Sequence, residues 1–369
     1  MARNQLDEIF MLECLALAKK GAGYVSPNPL VGAVLVKKNK VIARGYHKIF
    51  GRPHAEVNAI QSAKSSVRGA TLYVNLEPCN YFGRTPPCTD LLIASKISRV
   101  VVGMEDPNPL VSGKGISYLR QAGISVTTGI LEKECKKLNE AFTKYITTGL
   151  PFVTLKIAQT LDGKIAKSSE KSKWITNASS RRIVHGLRSQ YDAVLVGAGT
   201  VLKDNPQLTV REVNGRNPVR VILDGKFRVN PNAVVFSPSS ESKTILFVAE
   251  QFAVTQLGKK KKLVEKGVEI IELKGRKDGS IPLIKILEQV GSRGIASLLV
   301  EGGAFTFSFF LKERLADKLL LFLAPTIYGD GLDAFMSLSS KSLANAIKLT
   351  NISSHNVDGD ILIEGYLQK

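Results

Sequence analysis

The feature that most constrains the fold is a pair of α/β series, in which apolar segments alternate between strand and helix periodicity. One series covers residues 1–147 and the other covers 151–369. Between them, Gly149 and Pro151 break the preceding helical pattern, which marks a boundary. Strands that alternate with helices build layered α/β domains, and 369 residues suffice for two domains of roughly 100–200 residues each. The sequence therefore predicts two α/β domains with separate cores.

Apolar periodicity places the elements of each series. In the first, we expect a hairpin at 31–36 and 41–45, helices at 6–20, after His54, after Cys88 and at 131–146, and strands at 71–76, 99–103 and 124–127. In the second, we expect strands at 152–158, 192–197, 219–224, 244–249, 297–301, 317–324 and 360–367, and helices at 179–190, 281–292 and 304–313. This order predicts a largely parallel second sheet.

The net charge of +19 is the unusual part of the composition, because charge on that scale is typical of nucleic-acid-binding proteins. Residues 1–150 carry 20 basic and 11 acidic side chains, and the remainder carries 31 and 21, which gives +9 and +10. The charge is therefore spread over both halves. We interpret its densest run, Lys259–Lys262, as a solvated loop or helix end.

The remaining composition indicates a cytoplasmic globular protein. Four cysteines in so long a chain are too few for a disulfide scaffold, which favours a reducing compartment. No apolar run approaches the ~20 residues of a membrane span. Asp7 and Glu8 near the N-terminus do not fit a signal peptide. We therefore expect no membrane partner.

Three soft-to-borderline metal ligands stand out in the first half, namely His54, Cys79 and Cys88. Three protein ligands with a fourth position left for water are typical of catalytic zinc, whereas structural zinc sites usually have four. Glu56 lies two residues from His54, where it can move protons near the metal without binding it. The remaining cysteines, Cys14 and Cys135, lie in helical patterns and are expected in the core.

His-x-Glu followed by Pro-Cys and a second Cys is the pattern of zinc-dependent base deaminases. In those enzymes two residues usually separate the cysteines, whereas eight separate Cys79 from Cys88 here. Each of the three ligand types alone is as well explained by an unconnected core or loop position, and it is their combination that indicates a zinc site. His47 either contacts substrate or ends the hairpin.

Several motifs together resemble the bifunctional deaminase/reductase family of bacterial riboflavin biosynthesis, in which the long cysteine spacing is normal. They are Ser26-Pro27-Asn28-Pro29-Leu30-Val31-Gly32-Ala33, Gly45-Tyr46-His47, His54-Ala55-Glu56, Glu77-Pro78-Cys79, Gly83-Arg84-Thr85-Pro86-Pro87-Cys88 and Asp106-Pro107-Asn108-Pro109. The resemblance implies a cytidine-deaminase-like three-layer domain with zinc on His54, Cys79 and Cys88. It also implies Glu56 as proton shuttle and substrate contacts at Asn28, His47, Arg84 and Asp106. Tyr81-Phe82 departs from the polar pair common in that family.

The second half contains no Gly-x-Gly-x-x-Gly after a strand. Instead, Val196-Gly197-Ala198-Gly199-Thr200 and Val300-Glu301-Gly302-Gly303-Ala304 follow apolar runs. Glycines there can cradle a phosphate or simply form turns. Trp174-Ile175-Thr176, Asp204-Asn205-Pro206 and Leu208-Thr209-Val210-Arg211 resemble the family's reductase half, which is similar in fold to dihydrofolate reductase.

For the second half, that resemblance implies two sets of contacts. NADPH would contact Ala158, Trp174, Thr200, Asp204, Gly303, Ala304 and Phe305. The phosphorylated sugar would contact Ser172, Arg188, Leu208, Arg211 and Glu301. The arginines suit this role because a guanidinium matches phosphate oxygens in a two-pronged fashion. Lys156 is our candidate for polarising the reacting sugar carbon or positioning its hydroxyl.

The expected function is two consecutive steps on one phosphorylated small molecule. Zinc-dependent hydrolytic deamination of 2,5-diamino-6-ribosylamino-4(3H)-pyrimidinone 5′-phosphate would precede NADPH-dependent reduction of its ribosyl group to ribityl, giving 5-amino-6-(5-phosphoribitylamino)uracil. We also expect a homo-oligomer that does not bind nucleic acid. Two alternatives stay open at this point. One is a nucleic-acid base deaminase with an appended non-catalytic domain, and the other is a basic binding protein with a structural metal.

Overall fold

The structure is a computed structural model that describes residues 3–83, 86–166, 174–237, 242–336, 338 and 345–368. The chain divides into two compact units, residues 1–149 and 150–369. The first unit contains helices α1 (Arg3–Lys19), α2 (Ala55–Ser62), α3 (Cys88–Ala94), α4 (Lys114–Gln121), α5 (Glu132–Leu138) and α6 (Glu140–Thr148), and strands β1 (Gly32–Lys37), β2 (Lys40–Tyr46), β3 (Thr71–Leu76), β4 (Arg99–Met104) and β5 (Ser125–Thr128).

The first unit is built around one five-stranded sheet with the order β2-β1-β3-β4-β5. The β1–β2 and β1–β3 pairs are antiparallel, whereas β3, β4 and β5 run parallel. Helix α1 packs on β1 and β3 and contacts α5, while α2, α3 and α4 contact one another in series. The sheet is therefore the middle layer of three, and β3 and β4 are buried along almost their whole length.

The second unit has more elements. Its helices are α7 (Ala178–Gln190), α8 (Ala198–Asp204), α9 (Glu250–Ala253), α10 (Leu257–Glu265), α11 (Leu283–Gly291) and α12 (Ala304–Lys312). Its strands are β6 (Phe152–Thr160), β7 (Lys164–Ala166), β8 (Ala193–Gly197), β9 (Val219–Leu223), β10 (Thr244–Ala249), β11 (Val268–Leu273), β12 (Ser297–Val300), β13 (Lys318–Ala324), β14 (Leu332–Asp333), β15 (Leu349–Val357) and β16 (Asp360–Leu367).

A nine-stranded sheet with the order β11-β10-β9-β8-β12-β6-β13-β16-β15 organises this unit. The strands from β11 to β13 run parallel, and β16 and β15 continue the sheet antiparallel. Along β8, Ala193 and Leu195 belong to one hydrophobic core, and Val194 and Val196 belong to another. Because successive side chains of a strand point to opposite faces, both faces of the sheet are covered.

The amino ends of the parallel strands are held together by buried carboxylates. Asp192 accepts hydrogen bonds from the backbone N–H groups of Ala296 (3.0 Å) and Ser297 (2.9 Å), which joins β8 to β12. Asp317 accepts one from the N–H of Val153 at 2.8 Å, which joins β13 to β6. These acids therefore stabilise the edge of the sheet where the parallel strands begin.

All the predicted strands are present, and the largely parallel second sheet is confirmed. The expectation of one helix over 131–146 was wrong, because the chain breaks into α5 and α6 at Asn139. The Asn139 side chain accepts a hydrogen bond from the N–H of Leu30 (2.8 Å) and donates one to its carbonyl (3.1 Å). A tertiary contact of this kind leaves no trace in local periodicity.

The structure also corrects the interpretation of the basic run at 259–262, which lies inside helix α10 and is not freely solvated throughout. The Lys259 ammonium lies 4.4 Å from the Phe227 ring centroid and donates to the carbonyl of Phe227. Lys260 pairs with Glu272 on β11. The run therefore helps to fix α10 on its neighbours.

Among the described residues, no helix combines the length and the apolar character that crossing a membrane requires.

A buried ion pair links α1 to the sheet of the first unit. Asp7 is 1 % exposed, and its carboxylate accepts hydrogen bonds from the Arg99 guanidinium at 2.9 and 2.7 Å. The Tyr73 hydroxyl donates a third at 2.7 Å. Partners from β3 and β4 therefore compensate the buried charge of Asp7.

We expect Arg99→Met to lower the free energy of unfolding of the first unit by about 3–5 kcal/mol, because it leaves the Asp7 carboxylate buried and uncompensated. Denaturant unfolding followed by circular dichroism measures this loss. The matched control is Arg44→Met, which removes an exposed pair with Glu13 and should cost less than ~1 kcal/mol. Equal losses in the two variants would contradict the account.

Candidate active sites

The first unit brings His54, Cys79 and Cys88 together, with ligand atoms that all lie within 4.8 Å of one another. His54 immediately precedes α2, Cys88 begins α3, and Cys79 lies in the loop after β3. The Nδ1 atom of His54 is 3.5 Å from the Cys79 sulfur and 3.3 Å from the Cys88 sulfur. One imidazole and two thiolates converging in this way fit a zinc ion with one position left for water.

The electrostatics of this cluster favour an anionic sulfur at Cys79. The Cys88 thiol donates a hydrogen bond to it and lowers the pKa of Cys79, and His54 acts in the same direction. The backbone N–H of Cys88, at the start of α3, also points at the Cys79 sulfur from 3.4 Å. A thiolate is the form in which cysteine binds a metal. Cys79 is therefore the ligand that favours this form without a metal, whereas the hydrogen bond with Cys79 and burial raise the pKa of Cys88.

Glu56 lies in the first turn of α2, two residues from His54, and is 3 % exposed. Burial raises the pKa of Glu56 to about 7, although the neighbouring His54 opposes the shift. A carboxyl group with such a pKa can both accept and release a proton near neutral pH.

Asn28 and His47 lie beside the metal-ligand cluster. The His47 ring meets that of His54 edge-on, with 5.4 Å between the centroids, and its Nδ1 lies 3.1 Å from the carbonyl of Pro53. Because that nitrogen must then carry the proton, Nε2 accepts from the Asn28 amide at 3.2 Å. Burial lowers the pKa of His47, which favours its neutral form. His47 follows β2 directly, so it also stands at the end of the hairpin.

Glu77 is a residue of this site that the sequence analysis did not single out. Its buried carboxylate accepts hydrogen bonds from the backbone N–H groups of Asp106 (3.1 Å), Gly113 (2.9 Å) and Ile116 (3.1 Å). A Cβ on Gly115 would lie 2.2 Å from the carbonyl oxygen of Pro78, so only glycine fits there. Glu77 therefore holds the loop after β4 against the segment that carries Cys79. Its position two residues before that cysteine was the available signal.

Asp106 is brought to the same region by this loop. Its carboxylate accepts a hydrogen bond from the N–H of Asn108 at 2.8 Å. Burial raises the pKa of Asp106 to about 6, and the charges of Glu77 and Cys79 add to the shift. Arg84, also expected to contact substrate, lies outside the described residues.

In the second unit, a cleft of about 1630 Å³ opens where the parallel strands end. It is larger than the roughly 300–1,000 Å³ typical of pockets for one small ligand, so it has room for two. Its lining includes the candidate catalytic residue Lys156. It also includes the described members of both predicted contact sets: Ala158, Trp174, Arg188, Thr200, Asp204, Leu208, Arg211, Glu301, Gly303, Ala304 and Phe305. Ser172 lies outside the described residues.

Glu301 is the electrostatic centre of this cleft. It follows β12 directly, and its two oxygens accept hydrogen bonds from Nε and Nη2 of Arg188 at 2.6 and 2.8 Å. The Lys156 ammonium lies 3.8 Å from the same carboxylate. Burial would raise the pKa of Glu301, but the two cations lower it to about 2. Burial lowers the pKa of Lys156, and Glu301 opposes that shift.

This geometry differs from the expectation of an Arg188 guanidinium that grips phosphate with both prongs. Glu301 occupies that face, and Nη1 donates to the carbonyl of Thr209 at 3.1 Å. The buried carboxylate requires a cation partner, and Arg188 on α7 supplies it. Arg211 is the more exposed arginine of the two and donates to Gln207 and Thr209, each at 2.9 Å.

The glycines after β12 have packing reasons of their own. A Cβ on Gly302 would lie 2.7 Å from Cβ of Val196 on β8, and Gly303 has φ +66°. Both positions therefore need glycine whether or not a phosphate binds. Gly303 lines the cleft at the start of α12, where backbone N–H groups are open to an anion.

Comparison with known proteins supports the predicted fold of each half. The family described as the RibD C-terminal domain matches residues 151–363, and the cytidine and deoxycytidylate deaminase zinc-binding region matches residues 4–104. The riboflavin biosynthesis protein RibD of Aquifex aeolicus is 47 % identical over 98 % of each chain. The expected cytidine-deaminase-like and dihydrofolate-reductase-like folds are confirmed.

Two solved structures extend this likeness to the whole chain. Acinetobacter baumannii RibD superposes with a TM-score of 0.88 at 35 % identity over 100 % of both chains. A Thermotoga maritima diaminohydroxyphosphoribosylaminopyrimidine deaminase/5-amino-6-(5-phosphoribosylamino)uracil reductase gives 0.86 at 45 % identity over 99 % of both. These matches favour two catalytic halves over a deaminase with a non-catalytic appendage. The chain belongs to the RibD family of riboflavin biosynthesis, bifunctional deaminase/reductase enzymes that use Zn²⁺ in one half and NADPH in the other.

Proposed function

We propose that the first unit deaminates 2,5-diamino-6-ribosylamino-4(3H)-pyrimidinone 5′-phosphate and that the second reduces the ribosyl group of the product to ribityl. The observation that carries this proposal is the pair of centres: a trio of zinc-type ligands beside a buried acid, and a separate cleft with room for a cofactor and a substrate. Each chemical step then has its own set of residues.

In the deaminase unit, His54, Cys79 and Cys88 would hold zinc. The metal supplies Lewis acidity that makes water a nucleophile near neutral pH. Glu56 takes a proton from the attacking water and gives it to the amino group, which leaves as ammonia while the ring carbon gains an oxygen. Asn28 and His47, joined by a hydrogen bond, orient the pyrimidine, and Arg84 and Asp106 add further substrate contacts.

In the reductase unit, NADPH would supply the hydride that the first ribosyl carbon receives, while the bond from that carbon to the ring oxygen breaks and the oxygen gains a proton. The nicotinamide end would contact Ala158, Trp174 and the turn at Gly303. Lys156 positions the sugar hydroxyl and places positive charge near the reacting carbon. Burial lowers the pKa of Lys156, and the Glu301 carboxylate opposes this shift and so favours the charged ammonium. Arg211, with Ser172 and Leu208, would bind the sugar phosphate.

We further infer that the enzyme works in the cytoplasm, as a homo-oligomer, on a free phosphorylated small molecule and not on nucleic acid. A reducing compartment keeps Cys79 and Cys88 available as metal ligands. Light scattering on the purified protein tests the oligomer. A strongly salt-dependent affinity for RNA would contradict the small-molecule assignment.

We expect Cys79→Ser to lose zinc and to release ammonia at least about a hundredfold more slowly, because loss of a ligand weakens the metal site more than loss of a supporting hydrogen bond does. Metal analysis and an ammonia assay measure both effects, and NADPH oxidation on the premade intermediate should not change. Cys135→Ala, a buried cysteine outside the trio, is the control. Retained zinc and deamination in Cys79→Ser would show that the metal assignment is wrong.

Glu56→Gln should keep its zinc but deaminate on the order of 10²–10⁴-fold more slowly, because the amide cannot carry the proton between water and the leaving amine. The same two assays separate loss of metal from loss of proton transfer. Glu132→Gln, on the exposed surface of α5, should match the unmodified enzyme. A Glu56→Gln enzyme with an unchanged rate would exclude Glu56 as the proton carrier.

Lys156→Ala should slow NADPH oxidation by about 10²-fold or more, because the positive charge near the reacting carbon is lost. Ammonia release should be unaffected. Lys285→Ala, an exposed lysine on α11 outside the cleft, serves as the control. A Lys156→Ala variant that reduces its substrate normally would remove Lys156 from the mechanism.

A further inference from the structure

His185 is a cleft residue that neither the sequence motifs nor the proposed mechanism uses. It lies on α7, one turn before Arg188, and is 5 % exposed. Its Nδ1 accepts a hydrogen bond of 3.0 Å from the backbone N–H of Arg211. A buried histidine whose ring nitrogen accepts a hydrogen bond from the backbone of a substrate-binding segment can hold that segment in place.

The segment concerned, residues 207–211, is held by α7 on one side and by Asn217, whose side chain accepts a hydrogen bond from the N–H of Val210 at 2.7 Å. Arg188 holds it through the carbonyl of Thr209, and His185 holds it through the N–H of Arg211. Within the segment, Leu208 has φ +58°, a left-handed conformation that is unfavourable for leucine. Contacts from outside must therefore keep the backbone in this shape.

The hydrogen bond determines which ring nitrogen of neutral His185 carries the proton. Because Nδ1 is an acceptor, the proton of the neutral ring sits on Nε2, which lies 3.9 Å from the Glu212 carboxylate. Burial lowers the pKa of His185, and the facing cations Arg188 and Arg211 add to this effect, while Glu212 and Glu301 oppose it. The ring is therefore neutral at neutral pH, and a proton added in acid would remove the acceptor.

We propose that His185 is a positioning residue of the reductase, which holds the backbone of Arg211 so that its guanidinium faces the phosphate of the sugar substrate. This role rests on the proposed phosphate contact of Arg211. It predicts that His185 affects the KM for the phosphorylated substrate, with little effect on the KM for NADPH or on kcat.

The test uses isosteric variants of the full-length enzyme. The Oδ1 atom of Asn occupies the place of Nδ1, whereas Gln puts its oxygen further along the side chain and Leu has no acceptor. We expect His185→Gln and His185→Leu to raise the KM for 5-amino-6-(5-phosphoribosylamino)uracil about tenfold, the effect of one lost hydrogen bond. His185→Asn should restore a KM within about threefold of the unmodified enzyme. His355→Asn, an exposed histidine on β15, is the control and should change nothing.

The pH dependence of the substrate KM distinguishes this role from one in which His185 only stabilises the fold. Between about pH 8 and pH 5.5 the substrate phosphate itself gains a proton, since its second pKa is near 6. The KM of the unmodified enzyme should rise more steeply than that of His185→Asn, because only the histidine loses its acceptor in acid. Identical pH profiles would overturn the proposal, and so would equal KM values for the Asn and Gln variants.

Arg211→Gln tests the phosphate contact of Arg211 separately from the positioning role of His185. If Arg211→Gln leaves the substrate KM unchanged, the phosphate contact of Arg211 is wrong and the role of His185 falls with it. If Arg211→Gln raises the KM but the His185 variants do not, the phosphate contact stands and only the positioning role is overturned. NADPH oxidation on the premade intermediate measures every variant in the same assay.

Discussion

Both units depend on one constraint: a sheet that is covered on both faces offers no water to a carboxylate, so the acids of the two sites lie just beyond the ends of strands. In the first unit, Glu77 and Asp106 follow β3 and β4, and in the second unit Glu301 follows β12. Each of these carboxylates is buried and accepts hydrogen bonds there. Unpaired, such groups would cost several kcal/mol each, so partners gather around them. The candidate active sites are the places where those partners also remain accessible to a ligand.

The acids at the two ends of the second sheet have different partners, and this difference decides whether they act in stability or in chemistry. At the amino ends, Asp192 and Asp317 accept hydrogen bonds from backbone N–H groups of neighbouring strands, and Asp192 also pairs with Arg216 at 3.2 Å. Towards the carboxyl ends, Glu301 pairs with side-chain cations, and Lys156 remains in the wall of the cleft. A side-chain cation can move towards a ligand, whereas a backbone N–H within a sheet cannot. A buried carboxylate therefore joins strands at one end of the sheet, and at the other end it holds cations that can reach a ligand.

Much of the fold was readable from the sequence because apolar runs bounded by turn residues specify strands. The strands at 71–76, 244–249 and 360–367 have the predicted bounds. The break at Asn139 and the pairing of Arg188 with Glu301 were not predictable, because each depends on a residue more than a hundred positions away. The zinc-type trio was found because one histidine and two cysteines occur in a fixed order, with Glu56 two residues after His54 and Pro78 before Cys79. His185 was missed because a hydrogen bond to the backbone has no sequence signature, whereas Glu77 had a signal, its place two residues before Cys79, that was not used.

The central claim is that one chain holds two chemically independent centres, of which only the first needs metal. Removing zinc from the native enzyme with a chelator, and then measuring ammonia release and NADPH oxidation separately, tests it most directly. Ammonia release should fall in proportion to the zinc removed and should return when zinc is added. NADPH oxidation on the premade intermediate should stay constant throughout. Ammonia release that survives complete loss of zinc, or NADPH oxidation that falls along with it, would contradict the claim.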